Sequence, residues 1–233
     1  TDANFNTTCG IVGAGPAGVI AAYLLARQGV GVLLLEAHHD FDRDFRGDTI
    51  HAGIMELLDE MGLAEELLKL PHAKMQTLGL TANGVTQQIV DFRDTGSRFP
   101  YVTMMPQCQF LEFIVDRARA FNTFSIRMGA RVTGLTTTGR GYGIEFKEDG
   151  VVHTVVADLI IAADGRHSTI RKLMELHPKQ TSVPMDVLWF RSIRLYIFAH
   201  NNLRTALALR IGLKLIYAFT CARVLIPRHS SDG

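Results

Sequence analysis

Short apolar runs alternate with amphipathic stretches along this chain, and their order predicts the elements. CGIVG (9–13) has the length and character of a buried strand. PAGVIAAYLLARQG (16–29) follows with Ala and Leu at helical spacing and Gly29 as a C-terminal stop. GVLLLEA (31–37) is a second strand, apolar until Glu36. Together they make a βαβ unit of about thirty residues. The polar stretch 38–48 reads as a loop, and 49–62 and 63–70 read as helices closed by Pro71. Residues 75–92 alternate around Asn83-Gly84, a strong hairpin signal. YVTMM (101–105) is a further strand and 109–121 an amphipathic helix. FSIRM, RVTGLTTT, YGIEFKE and VVHTVVA read as short strands, DLIIAAD (158–164) as a separate buried strand, and 167–174 as a helix.

This order predicts an α/β fold: a Rossmann-like dinucleotide-binding domain interrupted by an inserted antiparallel β-sheet. The expected division is residues 1–73 and 107–181 for the binding domain, 74–106 and 182–190 for a partial substrate-domain sheet, and 191–233 as a divergent tail.

Composition narrows the class. With 233 residues, 47% hydrophobic, the chain can bury one sizeable core. Cys9, Cys108 and Cys221 are far apart and form no metal knuckle or redox pair, which favours a reducing, cytoplasmic setting. The opening TDANFNTT lacks the apolar region of a secretory signal. The net charge of +1 hides an asymmetry: residues 1–190 carry a net of −5, and residues 191–233 carry seven Lys/Arg against Asp232 alone. Arg204, Arg210, Lys214 and Arg223 interrupt the apolar tail, so no membrane-spanning run forms, although a basic interfacial helix is conceivable. The tail lacks the interleaved aromatics of a nucleic-acid-binding fold. No histidines pair at metal-binding spacing, and Ser168 has no GxSxG context, which disfavours metalloenzymes and hydrolases.

GAGPAG (13–18) matches GxGxxG between a strand and a helix. Gly13 permits the turn, Gly15 lets backbone approach a pyrophosphate, and Gly18 lets the helix pack on the sheet; Pro16 and Ala17 complete the loop. The helix N-terminus offers unpaired N–H groups to phosphate. Glu36 stands at the end of the second strand, where a carboxylate accepts from ribose hydroxyls and repels a 2′-phosphate. Three further stretches bear on the site. Arg46 in RGDTIH (46–51) could reach a cofactor or be a solvated surface residue. Gln107 starts a helix, where its amide could bond a ribityl or ribose hydroxyl or merely occupy a polar first turn. Asp164 and Gly165 end a strand before another helix, and so either form an ordinary turn or repeat the physics of the first motif.

GAGPAG with Glu36, RGDTIH, PQCQFLEF (106–113) and ADGRHSTIR (163–171), in this order, resemble the flavin-dependent aromatic hydroxylases typified by para-hydroxybenzoate hydroxylase. MDVLWFR (185–191) also looks like the family strand that leads into the substrate domain, so the resemblance covers about residues 8–190. It implies tightly held, non-covalent FAD, reduced by NADH or NADPH, with O2 supplying an oxygen atom to a small aromatic or polyketide-like substrate. It also implies that Gly13, Gly15 and Gly18 line the pyrophosphate, that Glu36 takes the ribose, that Arg46 and Gln107 contact the cofactor, and that Val132 lies near the adenine. The Asp164 stretch would serve both FAD and the visiting NAD(P)H. No catalytic side chain is assigned. The family's later Gly-Asp flavin motif has no match, and the 43 residues after Phe190 do not read like the family. A shifted or truncated reading frame near residue 191, a divergent end and a membrane contact stay open as explanations. So do a non-catalytic FAD-binding remnant and an FAD- or NAD-linked reductase. Unpaired strands in 74–105 raise the expectation of self-association.

Overall fold

The computed structural model describes residues 5–42, 48–139, 141–178, 185–191 and 221–227. The chain divides into two compact units, one of Thr1–Thr81 with Thr86–His177, the other of Ala82–Val85 with Pro178–Gly233.

The first unit opens with β1 (Phe5–Val12), α1 (Pro16–Arg27) and β2 (Val32–Leu35). Pro16 at the first helical position pre-sets φ for α1. At its other end Gly29 takes φ +80°, Gly29 N–H bonds Ala26 O, and Val30 N–H bonds Leu25 O, which closes the helix. Next come β3 (Thr49–Ile50), α2 (Ala52–Glu60), α3 (Ala64–Leu67), β4 (Ala73–Met75), β5 (Thr77–Ala82), β6 (Val85–Asp91) and β7 (Val102–Met104). Then follow α4 (Gln107–Ala118), β8 (Phe124–Arg127), β9 (Arg131–Thr138), β10 (Gly141–Glu148), β11 (Val151–Ala162) and α5 (Thr169–Leu173).

The main sheet runs β8-β2-β1-β11-β10-β9. β8, β2, β1 and β11 are parallel, whereas β9, β10 and β11 form an antiparallel meander. The period of two divides the strand side chains between two cores. Ile11 and Leu34 face a helical layer with Val19, Ala22, Leu111 and Ile114. Val12, Leu33 and Leu35 face Val132, Ile144, Phe146 and Val155 of the meander. β2 is therefore buried at every position, as a doubly covered parallel strand should be.

Three expectations change in detail. Residues 151–157 and 158–162 are one strand, because β11 pairs with β10 over Val151–Ala157 and with β1 from Phe5↔Val155 to Val12↔Ala162. Asp158 did not break it, because its side chain is exposed. Thr49 and Ile50 are strand rather than helix, paired with Met104 and Thr103 of β7. The helix expected at 63–70 is one turn, Ala64–Leu67, after which Lys69 and Leu70 donate to Glu66 and Leu67 in tighter i→i+3 bonds.

β3, β7 and β4 form a small antiparallel sheet. β5 and β6 form a hairpin turning at Asn83 (φ 52°) and Gly84 (φ 77°), the left-handed pair that a two-residue hairpin loop requires. In the second unit, β12 (Met185–Arg191) pairs antiparallel with β13 (Cys221–Pro227). The rest of the basic tail lies outside the described residues.

Candidate functional site

Parallel pairing places the carboxyl ends of β1, β2, β8 and β11 on one rim of the sheet, where open α/β sheets bind ligands. Backbone bonds join these ends. Gly13 N–H donates to Leu35 O at 2.8 Å, Ala163 N–H to Val12 O at 2.8 Å, and Glu36 N–H to Arg127 O at 2.9 Å. The glycine loop, Glu36 and the Asp164 turn therefore meet at one place.

The three glycines of the loop differ physically. Gly13 has φ +98°, and a Cβ there would lie 2.5 Å from Ala163 O. A Cβ on Gly18 would lie 1.9 Å from Gly13 O, so α1 seats directly on the loop. A Cβ on Gly15 would meet nothing within 4 Å. Open space thus stands above Gly15, at the start of α1. The first turn of α1 holds no acidic residue, so its partial positive charge is not offset locally. Pro16 brings no N–H, while those of Ala17 and Gly18 have no intrahelical acceptor by position.

Glu36 is buried, at 4% exposure. Its Oε2 accepts from Ala14 N–H at 2.8 Å and its Oε1 from His38 N–H at 3.0 Å. Asp164 Oδ2 accepts from Thr169 N–H (2.6 Å) and Ile170 N–H (3.1 Å), while Ser168 Oγ accepts from Arg171 N–H (2.9 Å). The N–H groups at the start of α5, expected to face phosphate, are thus taken by the chain's own side chains. Asp164 Oδ1 is buried without a hydrogen-bond partner among the described residues. Gly165 takes φ +76° in open space.

Two other predicted stretches come together. Gln107 is the first residue of α4, and its N–H donates to Asp48 Oδ1 at 3.3 Å; Asp48 O accepts from Met105 N–H at 2.9 Å. Asp48, the residue before β3, is therefore tied to the start of α4. Arg46 lies outside the described residues. Val132, on β9, is buried in one core cluster with Val12, Leu35, Ile144 and Phe146, so any ligand contact it makes is through backbone. Its neighbours Arg131 and Thr133 line an open cleft of about 550 Å³ with Ala37, His38, His39 and Lys147, beside Glu36. A larger cleft, about 780 Å³, opens at the amino ends of β1 and β2 near Asn6, Thr8 and Gly31, the wrong end of the strands for the glycine loop.

Sequence reasoning missed Ala14, Asp48 and Ser168. Ser168 had a signal, a hydroxyl residue just before a helix. Cys9 is buried, which pushes its thiol pKa up. Among the described residues no three His, Cys, Asp or Glu are grouped to hold a metal ion, and no helix is long and apolar enough to cross a membrane.

The family model described as FAD binding domain matches residues 6–199, past Phe190 where the resemblance was expected to end. The chain belongs to this FAD-binding family. A curated relative, the 6-methylpretetramide 4-monooxygenase of Streptomyces rimosus, is 33% identical over 183 residues, 77% of this chain and 43% of that protein. The anhydrotetracycline hydroxylase of S. rimosus superposes with a TM-score of 0.69 at 28% identity, covering 81% of this chain and 38% of that one. The p-nitrophenol 4-monooxygenase of Pseudomonas putida DLL-E4 shares the fold at TM-score 0.73 and 20% identity, covering 80% of this chain and 48% of that one. The chain spans less than half the length of these relatives.

The open space at Gly15, the acid-free start of α1 and the unpartnered Asp164 Oδ1 suit a pyrophosphate beside hydroxyl groups. The residues fit FAD.

Proposed function

We propose that this chain forms the FAD-binding part of a monooxygenase that uses NAD(P)H and O2 to hydroxylate an aromatic or polyketide-like small molecule. The single observation that carries the reading is the shared rim of the glycine loop, Glu36 and Asp164, with open space at Gly15. When bound, FAD supplies the redox chemistry, accepting hydride from NAD(P)H and activating O2. Ala17 and Gly18 N–H groups hold the pyrophosphate. Glu36 accepts from the ribose, and Asp164 Oδ1 accepts from a cofactor hydroxyl. The Gln107 amide holds the cofactor from the α4 side, and Arg46 is a further cofactor contact implied by the family resemblance. Residues 74–106 and 182–190 contribute to a substrate domain.

The test is direct. The purified chain is expected to be yellow and to release FAD on denaturation. A colourless protein that FAD does not reconstitute would sink the reading. Substrate-dependent NAD(P)H oxidation with oxygenated product separates a working enzyme from a domain that only binds FAD.

Self-association is part of the same proposal. Leu80, Val85 and Ile89 of the hairpin are 60%, 71% and 50% exposed. An isolated two-stranded hairpin with an apolar face is marginal in water. Light scattering is expected to show dimers or larger species, and a monodisperse monomer would contradict this.

A further inference from the structure

Glu36 touches more than the place where a ribose would sit. Its carboxylate bonds Ala14 N–H at 2.8 Å, inside the glycine loop, and His38 N–H at 3.0 Å, in the turn after β2. Ala14 is fully buried, so water does not serve its N–H. A buried donor that loses its acceptor is costly, and a bond to a charged acceptor is the stronger kind. One side chain, 4% exposed, thus clamps the loop after β1 to the loop after β2.

We propose that Glu36 is a positioning residue for the phosphate loop: it holds the loop in its binding shape before any cofactor arrives, independently of what it offers the ribose. This rests on the dinucleotide reading of the site. Ala14 N–H points to the carboxylate and is not a phosphate donor. The donors left for phosphate are those at the start of α1, and the clamp fixes where they aim. Preorganisation of this kind raises affinity by removing an ordering cost from the binding step.

Glu36→Gln separates this role from ribose binding. A glutamine offers one acceptor oxygen and an NH2 group, so it cannot accept from both Ala14 and His38 through different atoms. ADP and 2′,3′-dideoxy-ADP, which lacks both ribose hydroxyls, are titrated into the wild-type chain and the variant by calorimetry. We expect Glu36→Gln to weaken the dideoxy ligand about tenfold or more, and ADP by at least the same factor. A loss with ADP and none with the dideoxy ligand would assign Glu36 to the ribose alone and overturn the proposal.

Hydrogen exchange without ligand gives a second reading. The Ala14 amide is expected to be protected in the wild-type chain and to exchange at least about tenfold faster in the variant, with β10 and β11 amides unchanged. An unprotected wild-type Ala14 amide overturns the proposal even if the variant fails to fold. If the wild-type chain binds neither ADP nor FAD, the dinucleotide reading falls and the proposal falls with it. Failure of the clamp alone appears instead as ligand binding with unchanged Ala14 exchange.

Discussion

Gly15→Val is expected to abolish FAD binding while leaving the fold nearly as stable as before. Gly15 has φ −72° and ψ 179°, extended geometry that valine adopts without strain. A Cβ there meets nothing within 4 Å, so the folded chain has room for the side chain. The residue caps α1, and valine is a poorer cap than glycine, which costs about 1 kcal/mol. In a domain of this size that lowers Tm by roughly 2–4 °C. On the proposed reading, the room the valine takes is the room the pyrophosphate needs. Its methyl groups would stand between the phosphate and the N–H groups of Ala17 and Gly18. Affinity for FAD is expected to fall at least about a hundredfold, roughly 2.7 kcal/mol. Equilibrium dialysis beside thermal unfolding checks both halves. Unchanged FAD affinity would show that this loop is not the site, and a collapsed Tm would show that Gly15 serves the fold.

Why that loop could be read from sequence, and its surroundings could not, follows from the range of the forces involved. The βαβ unit was legible because its signals are local: a strand-length apolar run, glycines at fixed offsets, and an acid where the second strand ends. Asn83-Gly84 announced its hairpin for the same reason. The continuity of β11 was hidden because Asp158 looks like a break unless one knows that its side chain is exposed. Thr49 and Ile50 read as helix until β7, more than fifty residues later, supplied their partners. The carboxylates were harder still. Glu36 and Asp164 were legible as acceptors, but a carboxylate accepts a backbone N–H as readily as a hydroxyl, and spacing does not say which. The fold supplied Ala14 and His38 to one, and Thr169 and Ile170 to the other.

Gly13→Ala tests the junction those bonds create, and its expected result is the reverse of that for Gly15. Gly13 takes φ +98°, and an L side chain in a left-handed conformation costs about 1–2 kcal/mol by itself. Its Cβ would lie 2.5 Å from Ala163 O and 2.7 Å from Asp164 Cα, both backbone atoms that cannot rotate away. Relief requires β1 and β11 to part at their ends, which strains Ala163 N–H to Val12 O and Gly13 N–H to Leu35 O. Overpacking of this kind adds about 1–3 kcal/mol. The combined loss is on the order of 3 kcal/mol, a large part of the stability of an ordinary domain. Tm is expected to fall by roughly 6–12 °C. Gly29→Ala is the internal control, because Gly29 has φ +80° but nothing within 4 Å of a Cβ. It bears the conformational cost without the clash and is expected to lose only about 1–2 kcal/mol. Equal losses at the two positions would mean that the close approach of the glycine loop to the Asp164 turn does not hold this rim together. A larger loss at Gly13 would locate the strain where the glycine loop touches the Asp164 turn.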